Sequence, residues 1–173
     1  MPAKTRSFDE DFALLFKEQY GRIYRYLDRM SNDPDAAEDL AQETFVRLYR
    51  RGSMPDQPSA WLVSVGMNLL RNLASSTRRR SEILVANPGG HGHSAAVEST
   101  DAGALASETH ARVRWTVDAL TDREKDLLLL RAEGYSYREL AIALELNEAS
   151  VGTLLARAQR SFRARYEESG DAR

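Results

Sequence analysis

Short hydroxyl side chains and arginines recur on one face of a predicted helix near the C-terminus. The segment NEASVGTLLARAQRSFR, residues 147–163, opens with an asparagine suited to an N-cap. Apolar residues at helical spacing predict one buried face, which leaves Ser150, Thr153, Arg157 and Arg160 facing outward. Hydroxyls form single hydrogen bonds to base edges, and guanidinium groups neutralise phosphates. The outward face therefore has the chemistry of a DNA-binding helix, although Ser150, Gly152 and Thr153 in its first exposed turns are small and uncharged.

The preceding segment is predicted to pack against this helix as the first half of a helix-turn-helix. Ser136 and Glu139 have capping-box spacing before the short segment YRELAIALE. The small Ala141 would let the two helices approach, and Val151 would anchor the second against the first. Glu145 stands where glycine is usual, so a left-handed backbone there is expected to cost about 1 kcal/mol. An ordinary αα-hairpin is the alternative, but three capped helices at this spacing favour the DNA-binding interpretation.

The remaining apolar spacing also predicts helices, so the expected fold class is all-α. Ser7 with Glu10, and Asp33 before Pro34, mark the starts of the first two helices, and a third begins at about Ala60. A stretch rich in glycine, serine and alanine follows, without periodicity, and indicates a linker. We therefore predict two small helical bundles, 8–82 and 108–167, joined by a flexible linker, 83–107. The second bundle contains the helix-turn-helix.

Composition excludes several other classes of protein. The chain lacks cysteine and has a net charge of −2, so neither a disulfide framework nor a uniformly basic surface is available. A metal-dependent hydrolase would have to use His91, His93 and His110, which lack the spacing of a metal site. We see neither a nucleophile–base constellation nor a glycine-rich phosphate loop, and expect no enzyme, metal or cofactor. No apolar run is long enough for a signal peptide or a membrane helix, so a cytoplasmic protein is expected.

Two polar surfaces are predicted on the first bundle. On its second helix, four residues follow the i, i+3, i+4, i+7 spacing that can seat a partner helix: Asp39, Gln42, Glu43 and Val46. The alternative is a solvated acidic face. On the third helix, Asn68 lies two turns beyond Trp61, where its amide either stabilises the bundle or hydrogen-bonds an unstacked base. The segment TRRR, 77–80, is a basic patch.

Three segments, taken in order, resemble an extracytoplasmic-function (ECF) sigma factor of the sigma-70 family. They are DPDAAEDLAQETFVRLYR, PSAWLVSVGMNLLRNL and LTDREKDLLLLRAEGYSYRELAIALELNEASVGTLLARAQ, and the resemblance runs from about residue 10 to 165 without the linker. It implies a two-domain transcription initiation factor. The first domain would bind the β′ clamp helices of core RNA polymerase through the four α-helical residues named above, and would open the −10 promoter element. The second would recognise the −35 element and contact the β-flap.

The resemblance also implies which residues contact promoter DNA. Those for the −10 element are Gln57, Ser59, Trp61, Asn68, Arg71, Asn72, Arg78, Arg79 and Arg80. Those for the −35 element are Tyr137, Arg138, Ser150, Thr153, Arg157 and Arg160. Gly152 and Leu154 stand where family members commonly carry basic residues, so we expect weak −35 binding that depends on attachment to polymerase. An anti-sigma factor is a further partner that the resemblance implies.

The segment LTDREKDLLLLRAEGYSYRELA also resembles the effector domain of LuxR-type response regulators. Such a regulator would need a receiver domain of alternating strands and helices with an acidic pocket. Residues 8–82 have no such pattern, which favours the sigma-factor interpretation.

Overall fold

The computed structural model describes residues 7–85 and 102–171, with side chains described over 7–76 and 108–169. Helices make up the fold of these residues, and no strand occurs among them, which confirms the all-α class. The helices are α1 (Phe8–Ser31), α2 (Pro34–Arg51), α3 (Pro58–Val85), α4 (Ala102–Asp118), α5 (Asp122–Ala132), α6 (Tyr137–Ala143) and α7 (Glu148–Asp171).

The predicted N-terminal caps are present. They are Ser7, Asp33, Ser136 and Asn147, and Thr121 caps α5 in the same way. At Ser7 and Ser136, the cap hydroxyl accepts from the backbone N–H three residues later, and the glutamate there accepts from the cap N–H. Each cap satisfies backbone N–H groups that lack a partner inside the helix, which fixes where the helix begins.

Left-handed backbone occurs at four helix ends in the described residues: at Asn32 after α1, Gly52 after α2, Gly134 after α5 and Glu145 after α6. Gly134 follows α5 with φ of 89°, as expected for a glycine C-cap. Glu145 has φ of 53° in the turn between α6 and α7, so the predicted left-handed non-glycine residue is confirmed. The Leu146 N–H donates to the Ala141 carbonyl at 2.7 Å and closes this turn. A buried Ala141 and a fully buried Val151 then hold the two helices together, as the helix-turn-helix spacing predicts.

The bounds of α3 and α4 differ from expectation. α3 begins at Pro58, ahead of the predicted Ala60, and continues to Val85. α4 begins at Ala102, so residues 83–85 and 102–107 of the predicted linker are helical. Pro58 suits the first helical position because its missing N–H would have no partner there. Residues 86–101, with His91 and His93, lie outside the described residues.

The chain forms two compact units. The first comprises residues 1–77 and 129–151, and the second 78–128 and 152–173. Segment 129–151 is therefore grouped with the first three helices, while the predicted domain bounds of 8–82 and 108–167 stay a prediction. Fully buried aliphatic side chains form the first core, including Ile23, Leu27, Leu48, Leu62 and Leu140.

Aromatic rings join α1 to α2 within the first unit. The ring centroids of Phe12 and Tyr49 are 5.2 Å apart, and those of Phe16 and Phe45 are 4.9 Å apart, both edge to face. Such pairs contribute about 0.5–1.5 kcal/mol each beyond their buried area. They fix the orientation of α2, and hence which of its residues face outward.

The second unit is held by apolar and cationic contacts among its own helices. Leu120, Leu127, Leu155 and Ala158 are buried. The Arg112 guanidinium lies 3.9 Å from the centre of the Tyr166 ring and also donates to the Tyr166 carbonyl. These contacts attach α4 to the C-terminal half of α7.

Candidate nucleic-acid interface

The outward face of α7 is displayed as predicted. Ser150, Thr153 and Arg157 are exposed, and so is Arg160 one turn further along. The opposite face is closed to solvent, since Val151, Leu155 and Ala158 are buried. Asn147 caps the helix by accepting from the Ala149 N–H at 3.0 Å. The α7 face can therefore offer hydroxyl groups to base edges and guanidinium groups to phosphates.

α6 contributes two further candidate residues. Tyr137 is exposed on 46% of its surface, and the Arg131 guanidinium lies 5.6 Å from its ring centre. Arg138 is exposed beside it. Both residues are in the first turn of α6, after the Ser136 cap, so their placement follows directly from that cap.

The start of α3 carries a mixed polar and aromatic surface. Gln57, Ser59 and Trp61 are half-buried, and the Arg51 guanidinium lies 6.0 Å from the Trp61 ring centre. Further along α3, three of the predicted −10 residues are exposed: Asn68, Arg71 and Asn72. Arg78, Arg79 and Arg80 lie in α3, but their side chains are outside the described residues.

Ser59 of α3 lies close to the Glu139 carboxylate of the helix-turn-helix. Burial acts to raise the pKa of Glu139, but hydrogen bonds from the Ser136 N–H, the Ser136 hydroxyl and Ser59 lower it below its usual value. Glu139 therefore stays ionised at neutral pH and serves both as part of the cap and as a contact to α3.

The outward face of α2 is acidic with one apolar residue. Asp39 and Gln42 are exposed, Glu43 is half-buried, and Val46 is exposed on 39% of its surface. Glu43 pairs with Arg47 at 2.9 Å within the helix. The other side is packed, because five residues there are buried: Ala37, Ala41, Thr44, Phe45 and Leu48. This arrangement brings the four predicted α2 residues onto one accessible face.

Comparisons with known proteins match both halves of the chain. Residues 15–80 match sigma-70 region 2, and residues 111–161 match sigma-70 region 4. The ECF RNA polymerase sigma factor BldN of Streptomyces coelicolor is 31% identical over 161 residues, covering 87% of this chain and 58% of BldN. The RNA polymerase sigma-H factor of Pseudomonas aeruginosa is 30% identical over 171 residues, covering 92% of this chain and 83% of that factor. The chain belongs to the ECF sigma factors of the sigma-70 family.

Two solved structures share the fold of this sigma factor. One is the sigma factor RpoE of Bartonella quintana in complex with the anti-sigma factor NepR, with a TM-score of 0.65 and 20% identity over 91% of this chain and 98% of the other. The other is CnrH in complex with the cytosolic domain of CnrY, with a TM-score of 0.63 and 22% identity over 90% and 87%. At these identities the similarity concerns the fold.

A polar cluster in the first unit of the sigma factor was not anticipated from the sequence. It joins Gln19, Arg22, Arg25 and Arg29 of α1 to Glu133 and Tyr135, which follow α5. Gln19 is 1% exposed and Tyr135 is 1% exposed. A polar glutamine that follows Lys17 and Glu18 gives no sequence signal of such burial.

Metal and membrane features are not found in the described parts of the sigma factor. Over residues 7–85 and 102–171, no group of three histidine, cysteine or acidic residues is placed to hold a metal ion. His110 is exposed on α4. None of the helices in these ranges is both long and apolar enough to cross a membrane.

Proposed function

We propose that this sigma factor binds core RNA polymerase and directs it to specific promoters, where it opens the −10 element and recognises the −35 element. The exposed α2 face carries the proposal. Asp39, Gln42 and Val46 are accessible on one side, while the other side is packed into the core. An accessible acidic stripe with an apolar residue suits a partner helix, and the β′ clamp helices are the partner assigned.

The −10 element is assigned to the surface of α3 and the loop before it. Extraction of a base from a duplex costs a few kcal/mol of stacking, which contacts in a pocket must offset. Trp61 supplies an aromatic face, and the exposed amide of Asn68 supplies a donor and an acceptor. Gln57, Ser59, Arg71 and Asn72 complete the assigned contacts, together with Arg78, Arg79 and Arg80.

The −35 element is assigned to the outward face of α7 with Tyr137 and Arg138 of α6. The first turns of α7 offer Ser150 and Thr153, so single hydrogen bonds replace bidentate arginine–guanine contacts. Affinity for this element alone is expected to be modest. Attachment of both regions to polymerase raises the effective concentration of each at its own element, so modest affinity suffices.

Further partners and the cellular location follow from the same proposal. The β-flap of polymerase is assigned to the region-4 segment, and an anti-sigma factor is assigned as a regulator. RpoE of Bartonella quintana was solved with such a partner, the anti-sigma factor NepR. We assign the sigma factor no catalytic activity, cofactor or metal of its own, and place it in the cytoplasm with the polymerase.

The test reverses two charges on α2. The double substitution Asp39→Arg with Glu43→Arg should abolish binding to core polymerase and transcription from genomic fragments in vitro. It removes the partly exposed Glu43–Arg47 pair, which contributes about 0.3–0.5 kcal/mol, so the fold should persist. Circular dichroism measures the helicity, and sequencing of transcript 5′ ends measures promoter use.

The matched control is Glu167→Arg with Glu168→Arg. Both glutamates are exposed in the last turns of α7, so this variant makes the same charge change away from α2. It should bind polymerase as the wild type does. Wild-type levels of holoenzyme with the α2 variant would refute the assigned role of that face.

A further inference from the structure

Glu148, the first residue of α7, differs from the glutamates that begin other helices. Glu10, Glu124 and Glu139 each accept from the backbone N–H of their own N-cap residue. Glu148 directly follows Asn147, which caps α7 with its own side chain. Because a capping-box carboxylate stands three residues after the cap, Glu148 is too close to Asn147 to serve α7 in that way.

Glu148 lies on an open groove between α6 and the start of α7. Four other residues line this groove: Arg138, Ala141, Ile142 and Leu146. Glu148 and Arg138 are exposed, and so is 42% of Ile142, although it is a large apolar residue. Within the described residues, the Glu148 carboxylate forms no ion pair or hydrogen bond with another side chain, even with Arg138 across the groove. The groove therefore presents a carboxylate that can still accept hydrogen bonds from a ligand.

The position of Glu148 is one at which a helix-turn-helix meets DNA bases. The N-terminal residues of the second helix of this motif contact base edges in the major groove. Arg138 in the groove, and Ser150 two residues further along α7, are both assigned to the −35 element. A carboxylate repels the phosphate backbone, so Glu148 adds nothing to non-specific affinity for DNA. A favourable contact at this position requires a base that donates a hydrogen bond.

The chemistry of an ionised carboxylate restricts which base that is, because such a group only accepts hydrogen bonds. In the major groove, guanine presents the acceptors N7 and O6, and thymine presents the acceptor O4, so both repel a carboxylate. Adenine presents the N6 amino donor, but its N7 acceptor lies beside it. Cytosine presents the N4 amino donor and no acceptor of its own. Cytosine is therefore the base that a glutamate favours.

We propose that Glu148 is a specificity-determining residue for the −35 element, and that it selects a cytosine by accepting a hydrogen bond from the N4 amino group. This assignment rests on the proposed function, since it names a base for the surface already assigned to that element. Any other base would leave the carboxylate facing an acceptor, in a groove partly lined by the apolar Ile142 and Leu146. A charged group that loses its water without gaining a donor is costly, so wrong bases are penalised and cytosine is favoured.

The experiment determines which base the holoenzyme prefers at each position of the −35 element. A promoter that the wild-type factor uses in vitro is randomised over this element, and core polymerase with the full-length sigma factor transcribes the library. Sequencing of barcoded transcripts then identifies the preferred templates. The wild type should favour cytosine on one strand at one position. Glu148→Gln has an amide that both donates and accepts, as adenine requires, so the ratio of cytosine to adenine there should fall roughly tenfold or more.

A second variant and a matched control complete the design. Glu148→Ala removes the acceptor, and should make the four bases nearly equivalent at that one position while the other positions keep their preferences. Glu167→Gln makes the same chemical change as Glu148→Gln at an exposed residue near the other end of α7. This control should keep the wild-type preference at every position.

The alternative is that Glu148 only stabilises α7, since a negative charge in the first turn interacts favourably with the helix dipole. In that case both Glu148 variants would lower the Tm and weaken transcription from all templates equally. Unchanged base preferences in both variants would overturn the proposal, whatever their Tm. A preference for a base other than cytosine, at the position that responds to Glu148, would also overturn it.

Failure of the proposed function gives a different result. A wild-type holoenzyme with no preference at any randomised position would show that the region-4 segment does not recognise a −35 element, and the role of Glu148 would fail with it. A wild-type holoenzyme with clear preferences, none of which changes in the Glu148 variants, would refute the role of Glu148 alone.

Discussion

A substitution at Asn68 can distinguish whether this residue contacts DNA or stabilises the fold. It is exposed on α3, between Met67 at 3% exposure and Leu69 at 8%. Asn68→Ala therefore removes no buried contact, and the change in unfolding free energy should stay within about 0.5 kcal/mol. For a chain of this size, that corresponds to a change in Tm of about 2 °C or less.

The effect on promoter opening should be much larger. An amide that pairs with a base edge contributes about 1–3 kcal/mol to discrimination between bases. The rate of promoter opening by the variant should therefore fall roughly ten- to hundredfold, through the loss of one contact to the −10 element. The loss should appear in open-complex formation and not in closed-complex formation. It should also depend on the identity of one non-template base.

The assay compares transcription from a duplex promoter with transcription from a heteroduplex already open at the −10 element, alongside a melting curve. Ser75→Ala is the control, because Ser75 is an exposed polar residue on the same helix. Asn68→Ala should be impaired mainly on the duplex, and Ser75→Ala on neither template. Equal losses on both templates and for all four bases, together with a lowered Tm, would assign Asn68 to the stability of the bundle.

Two other predictions concern the affinity of the free protein for duplex DNA and its stability against acid. The free protein should bind duplex promoter DNA only in the non-specific range, about 10⁻⁴–10⁻⁶ M at physiological salt, because the first turns of α7 carry no basic residue and one acidic residue, Glu148; nanomolar sequence-specific binding in a titration would contradict this. A hydrogen bond from the Ser161 hydroxyl, at 2.6 Å, lowers the pKa of Glu124 below its ordinary value of 4.5. A lowered folded-state pKa adds stability above pH 4.5 that is lost as the pH falls through the folded value. Ser161→Ala should therefore lose stability at pH 7 and show a weaker decline on acidification, and identical denaturation curves at pH 7 would count against the bond.

The sequence predicts those parts of the fold that depend on neighbouring residues. The caps at Ser7, Asp33 and Ser136 are local, since each bond spans about three residues, and all are present. The left-handed Glu145 was predictable because the helix-turn-helix spacing leaves one residue to reverse the chain. The extent of α3 was not predictable to the residue, since sequence patterns place a helix end only to within one or two residues.

The candidate site, like the fold, was predictable from the sequence only in part. The exposure of Ser150, Thr153 and Arg157 follows from helical periodicity once Val151 is recognised as buried. The polar cluster around Glu133 follows from no local pattern. Its bonds join residues more than 100 positions apart, and its arginines resemble ordinary surface residues of α1. Periodicity predicts which face of a helix is buried, but not which distant segment covers it.

Because the chain is synthesised from its N-terminus, this long separation in sequence affects how a newly made chain folds. Arg25 and Glu133 are 108 residues apart, and ribosomes add about 5–20 residues per second, so α1 exists for roughly 5–20 s before its partner is made. α1 and α2 are adjacent in sequence, and their aromatic pairs need no later segment to form. The packing of α1 on α2 can therefore form on the ribosome before any bond of Glu133 exists. In a nascent chain, Arg25 is made well before the carboxylate with which it pairs in the finished protein.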